Sequence, residues 1–143
     1  MSIQAVLLPV FAQVLLVVIL GVLMAARRRE AVRARSVRAE DVMLGQKNWP
    51  PKAQAAANAY ASQFELPVLL FAIVPLAVIT RKADLFFVVL CWLFVAARYA
   101  HAAIHVTFNA MPWRLIAFAA SVFVMVILWA VFAFRILSVS PTI

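Results

Sequence analysis

Four membrane-spanning α-helices packed as one all-α bundle are what this sequence predicts, and three observations carry that expectation. The 143 residues are 68% hydrophobic and only 13% charged, with a mean hydropathy of +1.06. A soluble domain of this size could not bury so much apolar surface. Second, the apolar residues fall into four stretches, each close to the roughly 20 residues that a helix needs to cross a bilayer. Third, the chain has only two glycines and none of the short alternating segments that mark a transmembrane barrel.

The first span covers about residues 5–26. No Lys or Arg precedes Arg27, whereas Arg27, Arg28 and Arg29 follow directly. A signal peptide carries its positive charge ahead of the apolar stretch, so this run reads as a retained span. A basic segment over residues 27–51 ends in Trp49-Pro50-Pro51. Proline suits a first helical turn, which starts the second span near Pro51, over residues 52–79. Its first half is alanine-rich and polar, and Pro67 and Pro75 should kink it or free backbone carbonyls. Thr80 to Asp84 form a tight turn before the third span, residues 85–108. A second turn at Asn109 to Pro112 leads into the fourth, residues 113–137, and a short polar tail closes the chain. All of residues 1–143 belong to one transmembrane domain. Cys91, the only cysteine, lies in an apolar run and reads as a small buried hydrophobe.

Charge assigns the orientation. Eight Lys and Arg lie between Arg27 and Lys52, and Arg114 adds a ninth on that side. Arg81, Lys82 and Arg135 lie on the other, with Arg98 inside a span. The positive-inside rule then places the 27–51 loop in the cytoplasm and both termini outside, in a multi-pass membrane protein. The net charge of +8 reflects topology and attraction to anionic headgroups. No aromatic-interleaved basic fold argues for nucleic acid as a partner.

Two polar stripes interrupt the spans. On a helix turning about 100° per residue, Arg98, His101, His105 and Asn109 fall within an arc of roughly 80°. Gln54, Asn58, Ser62 and Glu65 share one face of the second span. Both stripes lie toward the basic end. A charge in mid-membrane costs about 2.5–3.5 kcal/mol on insertion scales unless it faces protein or water, so Glu65 and Arg98 are expected to pair across the helix interface. Interhelical packing accounts for that pair. It accounts less well for His101, His105 and Arg114, whose surplus donors suit an anionic ligand entering from the basic side. His101 and His105 at i and i+4, with Glu65, also have metal-ligand chemistry. No H-E-x-x-H pattern or nearby cysteine supports that minority reading.

The segments WPPKAQAAANAYASQFELPVLLF (49–71) and ARYAHAAIHVTFNAMPWR (97–114), in a four-span layout, resemble the MAPEG family, the membrane-associated proteins in eicosanoid and glutathione metabolism, and in particular its small bacterial members. The resemblance implies a four-helix bundle assembled as a homotrimer, with glutathione held between subunits near the cytoplasmic face and a lipophilic co-substrate arriving from the bilayer. Glu65 matches the family's glutamate on span 2, and Arg98 and His101 match its Arg-x-x-His. His105 stands where several family enzymes have tyrosine. Arg114 matches the arginine that stabilises the thiolate, and Arg27 or Arg28 matches the arginine ending span 1. By this resemblance Arg114 is the catalytic group, and Arg98, His101, His105, Glu65, Ser62, Asn58 and Arg28 form the glutathione pocket. The sequence also departs from the pattern. Where the glutathione-binding enzymes carry Arg, Arg and Asn ahead of the glutamate, this chain has Asn58, Ala61 and Ser62. Two readings follow. One is a glutathione-dependent transferase or peroxidase acting on lipophilic electrophiles. The other is a non-enzymatic trimer that binds membrane lipid or a partner.

Overall fold

The computed structural model describes residues 1–138; the polar tail expected at the C-terminus lies largely outside them. Five α-helices make four membrane-length rods: α1 (Ile3–Arg33), α2 (Pro51–Ala61) and α3 (Pro67–Ile79) in one broken rod, α4 (Leu85–Val106), and α5 (Met111–Leu137). No strand occurs among the described residues.

Each helix starts at a side-chain cap or at a proline in its first turn. The Ser2 hydroxyl accepts from the Ala5 N–H, and the Asp84 carboxylate accepts from the Phe87 N–H at 2.9 Å. Pro51, Pro67 and Pro112 occupy first turns, where the missing N–H costs nothing. The connections turn on residues with positive φ: Arg35, Gly45, Arg81 and Asn109.

α1 outruns its apolar stretch. Residues 27–33, read from sequence as the start of the loop, continue the helix as RRREAVR. Arg, Glu and Ala are strong helix formers, and a basic last turn complements the helix dipole. The fourth span likewise begins two residues early, at Met111.

The second rod breaks at Pro67, as its sequence anticipates, but stays helical through Pro75. Ser62–Phe64 tighten into a 3₁₀ turn, and Glu65 takes φ −94°, ψ −96°. Proline withholds the N–H that would have continued the ladder. The alanines of α2 let it lie close to its neighbours: Ala53, Ala56, Ala57 and Ala59 are all buried. A Cβ added to Gly21 of α1 would stand 3.2 Å from the Tyr60 ring, so the small residue permits the α1–α2 approach.

α4 is the central rod and packs most extensively on α5. Phe87, Cys91, Phe94 and Val95 of α4 meet Leu70, Ile73 and Val74 of α3 and Met125 and Leu128 of α5 in the main core. A smaller cluster nearer the basic end joins Leu16 and Leu20 to Ala59 and Ala102. Large side chains such as Phe11, Val22, Ile116 and Phe123 are exposed on the outside of the bundle. Lipid or a neighbouring copy, rather than water, suits such a surface.

Candidate functional site at the basic end

Arg98 is fully buried where the second rod breaks. Its Nη2 donates to the Ser62 carbonyl at 3.0 Å and to Ser62 Oγ at 2.8 Å. The guanidinium thus supplies a donor at the helix break. Its Nε and Nη1 find no partner among the described residues.

The expected Arg98–Glu65 ion pair does not form. Among the described residues the sole salt bridge is Asp84–Arg135 at 2.7 Å, at the opposite end of the bundle. Glu65 is instead exposed. The 3₁₀ turn and the bend at Glu65 rotate it off the face that carries Ser62. The span 2 stripe is split for the same reason: Ser62 points inward, while Asn58 and Glu65 face out. Gln54 donates to Asn58 at 2.8 Å.

The span 3 stripe holds together better. Arg98, His101 and His105 are buried on one face of α4, and Asn109 leaves it for the following turn. His101 and His105 meet edge to face with ring centres 5.7 Å apart. His101 Nδ1 lies 3.1 Å from the Arg114 carbonyl oxygen and its ring sits 5.7 Å from Phe118, which fixes the imidazole against α5. His105 Nδ1 has no hydrogen-bond partner among the described residues.

Arg114 stands one turn into α5. Its guanidinium donates to Asn109 Oδ1 at 2.6 Å and to Met111 Sδ at 3.1 Å. Both acceptors are neutral, and among the described residues no carboxylate forms a salt bridge with it. His101, Met111, Arg114, Leu115 and Phe118 line a cavity of about 240 Å³. It offers a cation and an imidazole above an apolar wall. That set suits a small anion or thiolate attached to an apolar or peptide-like body.

The arginines ending α1 are held elsewhere. Arg27 bridges three elements, donating to the Lys52 carbonyl at 3.0 Å and the Val106 carbonyl at 2.9 Å. Arg28 lies over the Trp49 ring at 4.9 Å, a cation–π contact. Within one chain, therefore, His101, His105 and Arg114 come together. Arg98 and Ser62 form a separate buried pair, and Glu65, Asn58 and Arg28 stand apart. No three His, Cys, Asp or Glu side chains gather as a metal-ligand set among the described residues.

Sequence reasoning passed over Gln13 and Gln63. Both are almost fully buried, and Gln13 Nε2 donates to Gln63 Oε1 at 3.0 Å while Gln63 Nε2 donates to the Ala59 carbonyl. Gln13 was recognisable as a lone amide in an apolar span, which must find a partner. Tyr99 Oη adds a second tie to α1, donating to the Ala12 carbonyl at 2.7 Å.

Four apolar helices of spanning length, with polar side chains buried between them, define an integral membrane protein. The chain belongs to the MAPEG family, whose profile matches residues 6–134. No curated protein and no solved structure matched it. The family includes glutathione transferases and other members.

Proposed function

We propose that the chain is a thiol-using member of its family, a glutathione-dependent transferase or peroxidase for lipophilic electrophiles. The observation that carries this reading is Arg114, a cation without a carboxylate, beside His101 at the mouth of an apolar-walled cavity. A guanidinium there favours the thiolate over the thiol and so raises the population of the nucleophile at neutral pH. In conjugation, the thiolate sulfur forms a bond to the electrophilic carbon, the leaving group departs with its electron pair, and the thiol proton passes to water.

Two features support a site completed by a neighbouring copy, in a homotrimer. Glu65 is a carboxylate exposed midway along the second rod, where lipid contact would be costly. Asn58, on the same rod, is exposed as well. The charge asymmetry supports a cytoplasmic placement of the basic end.

The fit to glutathione is uneven. The thiol end matches Arg114 and His101. The carboxylate end finds no arginine on α2, and Arg27 and Arg28 are already engaged. That imbalance favours the second reading, a trimer that holds lipid or a partner without turnover. Titrating purified protein with glutathione while following thiolate ultraviolet absorbance and conjugation of a model electrophile separates the two. Thiolate and conjugate that disappear in Arg114→Ala support the enzyme. No signal at millimolar glutathione, with Arg114→Ala indistinguishable from the parent, refutes it.

A further inference from the structure

A second cavity at the basic end, separate from the one beside Arg114, has a volume of about 430 Å³. It lies between the helical extension of α1 and the start of α2, lined by Arg27, Glu30, Ala31, Ala34, Ser36 and the Pro50–Ala53 segment. Three observations give it a ligand. Its depth is that of the headgroup layer, because α1 leaves its apolar run at Ala26 and continues to Arg33, about 10 Å further at 1.5 Å per residue. Its floor is apolar, with Ala31 and Ala53 buried beneath it. Its cations outnumber its one carboxylate: Arg27 and Lys52 share the wall with Glu30, which is exposed, and none of the three forms a salt bridge among the described residues.

Arg27 is also held in place. Its two carbonyl contacts, to Lys52 and Val106, fix the guanidinium at the cavity while leaving its charge unneutralised. Ordinary basic loops attract anionic membranes diffusely, at about 1 kcal/mol per residue near the surface. A fixed cation at an apolar-floored cavity is more selective, because it accepts an anion whose remainder is also apolar.

We propose that this cavity seats one anionic phospholipid. The phosphate lies on Arg27 and Lys52, the glycerol portion covers the alanine floor, and the acyl chains continue into the bilayer. A free phosphate would meet the cations but leave the floor uncovered. A zwitterionic lipid would cover the floor but bring its own cation to a basic rim. The proposal does not depend on thiol chemistry at Arg114.

Native mass spectrometry of the full-length protein, with dioleoyl phosphatidylglycerol and dioleoyl phosphatidylcholine offered in equal amounts, tests it. The expected result is one retained phosphatidylglycerol, preferred by about tenfold, the effect of roughly one well-placed charge. Lys52→Glu, which leaves the Lys52 carbonyl to Arg27, and Ala34→Trp, which fills the cavity, should each abolish that preference. Lys47→Glu makes the same charge change outside the cavity and should leave the preference intact. Circular dichroism on each variant checks that it remains folded. Equal retention of the two lipids overturns the proposal, and so does an equal effect of Lys47→Glu and Lys52→Glu. Displacement of the lipid by millimolar inorganic phosphate or glutathione would also overturn it, by assigning the cavity to a soluble anion.

Discussion

Arg98→Met separates a guanidinium that holds the fold from one that binds ligand. In the folded chain Arg98 Nη2 makes two hydrogen bonds to Ser62, at 3.0 and 2.8 Å. A hydrogen bond to a charged group contributes about 1.5–3 kcal/mol, so the two together approach about 3–6 kcal/mol. Removing the charge returns part of that sum, since a buried cation with Nε and Nη1 unpartnered is poorly solvated. Methionine keeps much of the volume, which limits any cavity cost. The Ser62 carbonyl, however, loses this donor at the break. The net expectation is a loss of about 2–4 kcal/mol. Ser62→Ala, which removes only the hydroxyl contact, should lose less. The assay is equilibrium unfolding in mixed micelles with increasing anionic detergent, followed by circular dichroism. Arg98→Met within about 0.5 kcal/mol of the parent, the range of an unremarkable surface change, would refute the structural role. Unchanged stability together with lost thiol binding would assign Arg98 to the ligand instead.

Gln13→Leu strands the Gln63 carbonyl oxygen and should cost about 1–3 kcal/mol, while Gln13→Leu/Gln63→Leu recovers part of the loss; a double-mutant cycle measures the coupling. Gly21→Val places branched carbon against the Tyr60 ring and should cost about 1–3 kcal/mol in the same unfolding assay, with Gly21→Ala milder. At the opposite end, a hydrogen bond from Arg135 holds the Asp84 carboxyl below the usual carboxylate range. A depressed folded-state value stabilises above the unfolded value of about 3.9 and stops doing so as pH falls through the folded one. The stability gap between the parent and Asp84→Asn should therefore be constant near neutral pH and shrink below about pH 4. Asp84 is half exposed, so the gap is small; a gap that widens on acidification would contradict the assignment.

The four rods were legible because each is a long apolar run closed by proline, basic residues or a short polar turn. The break at Pro67 was legible too, since proline removes a ladder donor wherever it falls. The partner of Arg98 was not. Face arithmetic at 100° per residue put Ser62 and Glu65 together, but the 3₁₀ turn at Ser62–Phe64 and the bend at Glu65 separate them. Such a local change of pitch follows from how the broken rod packs, not from spacing. The extension of α1 was hidden because arginines after an apolar stretch read as a stop signal for the membrane, though they are good helix formers. The Gln13–Gln63 pair joins residues 50 apart in sequence, and no periodic pattern announces it. At the site, the joining of His101, His105 and Arg114 was legible from the α4 stripe and the proline-started α5. The dispersal of Glu65, Asn58 and Arg28 was not.

The proposed function rests on Arg114, beside His101, stabilising a bound thiolate. Difference ultraviolet absorbance of the purified protein on adding glutathione measures this directly, with Arg114→Ala and Arg98→Met as paired variants. The expected result is a thiolate band that Arg114→Ala removes, with the fold intact by circular dichroism, while any Arg98→Met protein that remains folded retains the band. A thiolate band that survives Arg114→Ala, or no band at all at millimolar glutathione, would contradict it.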